Sequence, residues 1–217
     1  MRTIKKSPPP PEHVTWCQSC RLDPNFGYEL LPHKSLLIQA MLGEQGWLCA
    51  YTERRINPNT CHIEHLKPQS LSRHEGAPDE TVDYGNMVLC LPSPNSPKLP
   101  YGAQKKDDWH DPALFASPLN PASSSRFRYS SKGKIAASQD GDTAAETTIQ
   151  KLGLDHADLA DLRAAQIAGV WEELGHITDR KALRRAITKQ LTGLRQSDLE
   201  LPEFVSAKIQ RLEKALR

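Results

Sequence analysis

The 217-residue sequence predicts an α+β protein, a small two-strand-and-helix (ββα) unit embedded in helices, followed by a helical C-terminal region. Three observations predict it. The stretch Cys49–Lys98 carries four short polar-and-apolar segments, CAYTERRI, HIEHLKP, DYGNMVLC and PNSPK, that read as strands and turns and not as one long helix. Leu36, Leu37, Ala40 and Met41 share one face of a helix that delivers the chain to this stretch. From Thr143 onward apolar residues recur at helical spacing. The division is at residue 135: 1–135 holds the compact unit with its N-terminal extension, and 136–217 the helical region.

In chain order, Pro8–Pro11 should form a short extended polyproline strap. Cys17-Gln-Ser-Cys20 follows, half of a zinc-type ligand set that needs a second pair to be completed. Pro32 suits the first position of a helix running to about Gln45, with Gly43 and Gly46 weakening its end. After Lys98 the chain is loop-rich until Arg126–Ile135, which alternates as a hairpin turning at Ser131-Lys132-Gly133. Three helices are then expected, at about 156–174, 179–195 and 202–217. Leu159, Leu162, Gln166, Val170 and Leu174 mark the first face, Leu183, Ile187, Leu191 and Leu194 the second, and Val205, Ile209, Leu212 and Leu216 the third. Gly175 and Gly193 read as stops, Thr178 as the cap of the second helix and Pro202 as the start of the third.

Formal charge is only +2, from 28 Lys and Arg against 26 Asp and Glu. Composition therefore announces no electrostatic capture of nucleic acid, and any such binding must come from local clusters or a basic partner. No apolar run reaches the length of a membrane span, and the basic N-terminus leads into prolines and not into the apolar core of a signal peptide. The expectation is a cytoplasmic protein with no membrane partner. Five cysteines are an odd set there, for which metal ligation and plain burial compete.

The chemistry concentrates in the central stretch. Glu64 directly precedes His65; Asn86 lies 21 residues after that histidine and Asn95 nine further on. Hydrolysis of a phosphodiester needs a base for water, a cation for the developing charge and rigid positioning. His65 suits the base, because imidazole titrates near neutral pH. Glu64 and Asn95 offer hard oxygens, a set better matched to Mg²⁺ or Mn²⁺ than to zinc. On a strand, adjacent Glu64 and His65 point to opposite faces, whereas His62 shares the face of Glu64 and is the nearest rival as base or ligand. Asn86, with two donors and one acceptor, can brace the loop carrying His65.

These residues, with QGWLCAYTERRI, KLPYGAQKKDDW, SPLNP, RFRYSSKGKI and IQKLGLDHADLADLR, resemble the HNH endonucleases of the PtuB type found in Septu and retron anti-phage systems. The resemblance spans most of residues 30–170. It implies a ββα-metal nuclease fold, an acid–histidine pair at Glu64 and His65, a supporting Asn86 and a metal-facing Asn95. It further implies an ABC/SMC-like ATPase partner of the PtuA type and a retron reverse transcriptase with its RNA–DNA hybrid. Many such proteins frame the motif with two cysteine pairs. Here Thr52 and Pro94 stand in two of those places, so a structural zinc would need Cys17, Cys20, Cys49 and Cys90 and an N-terminus folded back over the motif. Buried thiols are the competing reading. The rival function is a noncatalytic zinc-binding adaptor; within enzymes it is cleavage of RNA such as tRNA instead of DNA.

Overall fold

The computed structural model describes residues 1–196 and 200–217. The helix α1 (Pro11–Cys20) begins where the polyproline strap was expected to end. Pro10 keeps the extended backbone (φ −52°, ψ 138°), but Pro11 sits in the first turn, where a missing N–H costs nothing. α2 (Lys34–Gln45) buries Leu37, Met41 and Leu42 and is closed by Gly46 at φ 59°. Gln45, also buried, uses its amide as a strand would: Oε1 accepts from Leu89 N–H (2.7 Å), and Nε2 donates to the Leu89 carbonyl (3.0 Å) and to the Leu48 carbonyl (2.8 Å).

Strands β1 (His62–His65) and β2 (Met87–Cys90) pair antiparallel with Glu64 opposite Val88 and His65 opposite Met87. A short helix α3 (Gln69–His74) lies in the connection, and β2 is buried along its whole length. After β2 the chain turns through Ser93–Ser96 and enters α4 (Ala103–Lys106), a helix of four residues. Two short paired strands are thus followed by a helix of one turn. The hairpin β3 (Phe127–Tyr129) and β4 (Ile135–Ala137) follows as the sequence predicts.

Among the described residues four helices follow the hairpin where three were expected. The additional one, α5 (Thr143–Leu152), is capped by the Asp142 carboxylate, which accepts from Ala145 N–H at 3.0 Å, and stopped by Gly153 at φ 58°. Then come α6 (Ala157–Leu174), α7 (Arg180–Gln196) and α8 (Val205–Leu216). The buried face of α6 is Leu159, Arg163 and Ile167, whereas Leu162 is exposed. Asp179, not Thr178, caps α7, accepting from Ala182 N–H at 2.7 Å. Gly193 lies inside α7, and α8 starts three residues after Pro202.

The main core runs from α2 through β2 to Phe127, Leu152, Leu159 and Phe204, taking residues from both sides of position 135. A smaller apolar cluster of Leu174, Ile187, Leu191 and Leu212 joins α6, α7 and α8. The last segment is tied back to the turn before β1. Phe204 N–H donates to the Glu53 carbonyl (3.0 Å), Ser206 N–H donates to the Glu53 carboxylate (2.9 Å), and Leu201 N–H donates to the Gly46 carbonyl (3.0 Å). Among the described residues no helix is long and apolar enough to cross a membrane.

Candidate active site

The alternation of β1 separates the acid from the histidine beside it. Ile63 and His65 are buried on one face, and His62 and Glu64 lie half-open on the other. The ring of His65 is held on all sides. Its Nε2 donates to the Thr81 carbonyl at 2.8 Å, an acceptor only, so the proton sits on Nε2 and Nδ1 keeps its lone pair. Gln69 Nε2 points at that Nδ1 from 3.2 Å, and Tyr28 stands edge-on to the ring with centroids 4.7 Å apart. Burial lowers the pKa of His65 below the ordinary imidazole value, more than the Thr81 carbonyl and Glu64 raise it. The ring is therefore neutral near pH 7.

Asn86 fixes the chain just after His65. Its Nδ2 donates to the carbonyls of Lys67 (3.0 Å) and Glu80 (3.2 Å), and its Oδ1 accepts from Lys67 N–H (2.8 Å). The Asn86 carbonyl also accepts from Leu66 N–H at 2.9 Å. One side chain thereby ties the end of β1 to the segment that presents Thr81 to His65.

Glu64 divides its oxygens. Oε1 receives the Tyr51 hydroxyl (3.2 Å) and the Lys106 ammonium (3.0 Å), while Oε2 faces His62 Nε2 at 3.7 Å. His62 Nδ1 donates to the Pro92 carbonyl at 2.6 Å, so in the neutral ring Nε2 is the free lone pair. Burial pulls His62 down, but Glu64 and the Pro92 carbonyl outweigh it and its pKa lies above the ordinary value. Asn95 lies exposed on the Ser93–Ser96 turn, and among the described residues its side chain makes no hydrogen bond. Glu64, His65, Pro68, Gln69, Ser70, Lys106, Asp107 and Asp108 line one open cleft of about 190 Å³.

Lys106 is the residue that sequence reading missed. Its side chain is 1% exposed, and its ammonium touches Glu64 Oε1, the His65 carbonyl (3.3 Å) and the Asp107 carbonyl (3.4 Å). α4 delivers it between two left-handed positions, Gly102 at φ 78° and Asp107 at φ 50°. Nothing in QKKDD distinguishes Lys106 from Lys105; only the burial of a one-turn helix does. Tyr51 and Gln69 were missed as well, since a Tyr in an apolar run and a Gln at a helix start are ordinary in sequence.

The open face of β1 offers two potential ligand groups, the Glu64 carboxylate and the His62 imidazole, 3.7 Å apart. When His62 is protonated its Nε2–H faces Glu64 Oε2; when it is neutral both present lone pairs to the open side. The four cysteines that a structural zinc would need lie on different elements. Cys17 and Cys20 sit on α1, where Cys17 lies 3.7 Å from His13 Nε2, whereas Cys49 and Cys90 are buried beside each other near β2. Burial raises a thiol, but hydrogen bonds from Cys90, Thr52 and Leu91 N–H outweigh it and bring Cys49 down to about 6. Among the described residues no three His, Cys, Asp or Glu side chains are grouped to hold a metal.

No protein-family model matches the chain. It is 29% identical, over 127 residues, to a protein of Vibrio cholerae serotype O1 biovar El Tor named "Retron Vc95 putative HNH endonuclease". The match takes in 57% of this chain and 59% of that protein, so the chain spans little more than half the length of its relative.

Proposed function

We propose that this chain is a metal-dependent HNH endonuclease of the PtuB type, hydrolysing phosphodiester bonds of DNA, or of tRNA or other RNA. In this reading it is the toxic effector of a retron-associated defence system, restrained by an ATPase of the PtuA type. The observation that carries the proposal is the fixed, neutral His65 beside a carboxylate that faces the opposite side of the same strand. The relative's name supplies the retron context.

In the proposed reaction His65 Nδ1 takes a proton from water, whose oxygen forms a new bond to phosphorus as the bond to one sugar oxygen breaks. The Thr81 carbonyl stabilises the imidazolium that results, because Nε2–H already donates to it. Gln69 Nε2–H donates to that same lone pair, so the amide swings aside as the water takes its place at Nδ1. Mg²⁺ or Mn²⁺ held by Glu64 Oε2 with Asn95, or with His62, would neutralise charge developing on the phosphate. Lys106 and Tyr51 hold Oε1, so such an ion would meet the carboxylate through Oε2, in competition with the ammonium for its charge.

His65→Ala tests the reading. Cleavage should fall by about 10²–10⁴-fold, the usual loss for a general base, while the protein stays folded. A variant that cuts as fast as its parent sinks the assignment, and His62 becomes the base to examine. Co-purification of the two intact proteins tests the ATPase.

A further inference from the structure

The charge of this chain is concentrated on one helix. α7 contains Arg180, Lys181, Arg184, Arg185, Lys189 and Arg195 and no Asp or Glu, a local charge of +6. The whole chain carries +2, so everything outside α7 sums to 2 − 6 = −4. The neighbouring α6 is acidic, with Asp158, Asp161, Glu172 and Glu173 against Arg163. All six α7 cations are exposed, while Ile187 and Leu191 face inward.

Two of the six have structural work. Arg195 pairs with Glu213, and Arg184 donates to the Leu216 carbonyl at the end of α8 (2.9 Å). Lys181, Arg185 and Lys189 do not: among the described residues no carboxylate lies within salt-bridge distance of any of them. They recur every four residues and so form one stripe, about 6 Å apart and about 12 Å long. Like charges at this spacing weaken a helix. A solvated, stability-serving face would alternate signs, as i,i+4 pairs do. A same-sign row is instead relieved by a polyanion, and its length covers about three to four phosphates of one strand at 3.4 Å of axis each.

We propose that the Lys181–Arg185–Lys189 stripe of α7 is a nucleic-acid backbone clamp, binding phosphates without reading bases. The clamp stands on the charge of one helix and not on the chemistry of the cleft, so it operates without a divalent ion.

The test is binding in excess chelator, where cleavage cannot occur, measured by fluorescence anisotropy of a labelled 20-nucleotide single strand and of the matching duplex over a salt series. The comparison is the whole chain against Lys181→Gln/Arg185→Gln/Lys189→Gln, which keeps good helix formers at every position. The parent should bind, with log affinity falling linearly against log salt. The triple variant should lose about two to three units of that slope and at least about tenfold in affinity near 0.1 M salt. If its thermal melt shows that it is unfolded, Arg185→Gln alone should reduce the slope by about one. Equal affinity and slope in parent and variants overturn the clamp, as does a parent that binds neither nucleic acid. Displacement by polyglutamate as effective as by nucleic acid also overturns it, in favour of an acidic protein partner. A parent that binds and loses the clamp on substitution, yet cuts nothing when metal is restored, would uphold the clamp and remove the nuclease reading alone.

Discussion

Replacing Lys106 with Met keeps the stem that fills the cleft wall and deletes the charge. The ammonium lies 3.0 Å from Glu64 Oε1, with the two side chains 1% and 14% exposed. At an effective dielectric constant of about 20, two unit charges at that distance attract by roughly 5–6 kcal/mol before desolvation is counted. What the experiment reads is the cost of leaving Glu64 without its cation, about 3–5 kcal/mol for a buried pair. The lower end applies, because Glu64 opens onto the cleft and keeps the Tyr51 hydroxyl. For a chain of this length about 3 kcal/mol corresponds to roughly 6–12 °C in Tm. The assay is thermal unfolding followed by circular dichroism, with Lys106→Met, Glu64→Gln and the double variant forming a cycle. The double variant should be more stable than the sum of the single losses implies, since it leaves no unpaired charge. In Lys106→Met, Mn²⁺ at about ten times its Kd should return about 1.4 kcal/mol. The parent should gain less at the same concentration, because its ammonium competes for the carboxylate. A Lys106→Met protein melting within about 2 °C of its parent, or single losses that simply add, would refute this account of the cleft.

Three further outcomes are expected. In NMR titrations of the imidazole nitrogens His62 should protonate at higher pH than His65, because Glu64 raises the first and burial lowers the second; the reverse order would remove both electrostatic assignments. The linked stability follows the same signs: the His62 contribution is full below pH 6.5 and lost as pH rises through its raised folded value, whereas His65 costs stability as pH falls from 6.5 toward its lowered one. Asn86→Ala should cost about 1–3 kcal/mol in denaturant unfolding and slow cleavage, since Lys67 loses partners for both its N–H and its carbonyl; an unchanged midpoint would show that the brace is redundant. Glu64→Gln should shift the Mn²⁺ dependence of cleavage to higher concentration, and an unchanged titration would strike Glu64 from the ligand set.

Much of the cleft was legible in the sequence because it obeys a short-range rule. A strand alternates, so Glu64-His65 had to split across two faces and His62 had to rejoin Glu64. Asn86 was legible through its donor and acceptor inventory, and the bonds it makes are those a brace requires. What the sequence concealed is set by tertiary placement. Lys106 is exposed or buried according to where a one-turn helix docks, which no periodicity of four residues can encode. The face of α6 shifted because Arg163 is enclosed by the carbonyls of Gly133 and Leu154, an arrangement that polar patterning reads as outward-facing. α5 escaped because three threonines weaken its propensity, although Asp142 and Gly153 mark both of its ends.

The bond between Glu53 and the start of α8 bears on how the protein is made. A growing chain completes β1, β2 and α4 by residue 106, but the Glu53 carboxylate and carbonyl wait for the amides of Ser206 and Phe204. At about 5–20 residues per second those hundred further residues take roughly 5–20 s. Throughout that interval the Glu53 carboxylate has the Met1 ammonium, 3.3 Å away, as its partner, and the turn before β1 lacks its bonds to the last segment. Translation therefore leaves the turn at Glu53 without its two bonds to the last segment until the residues of α7 and the start of α8 have been made.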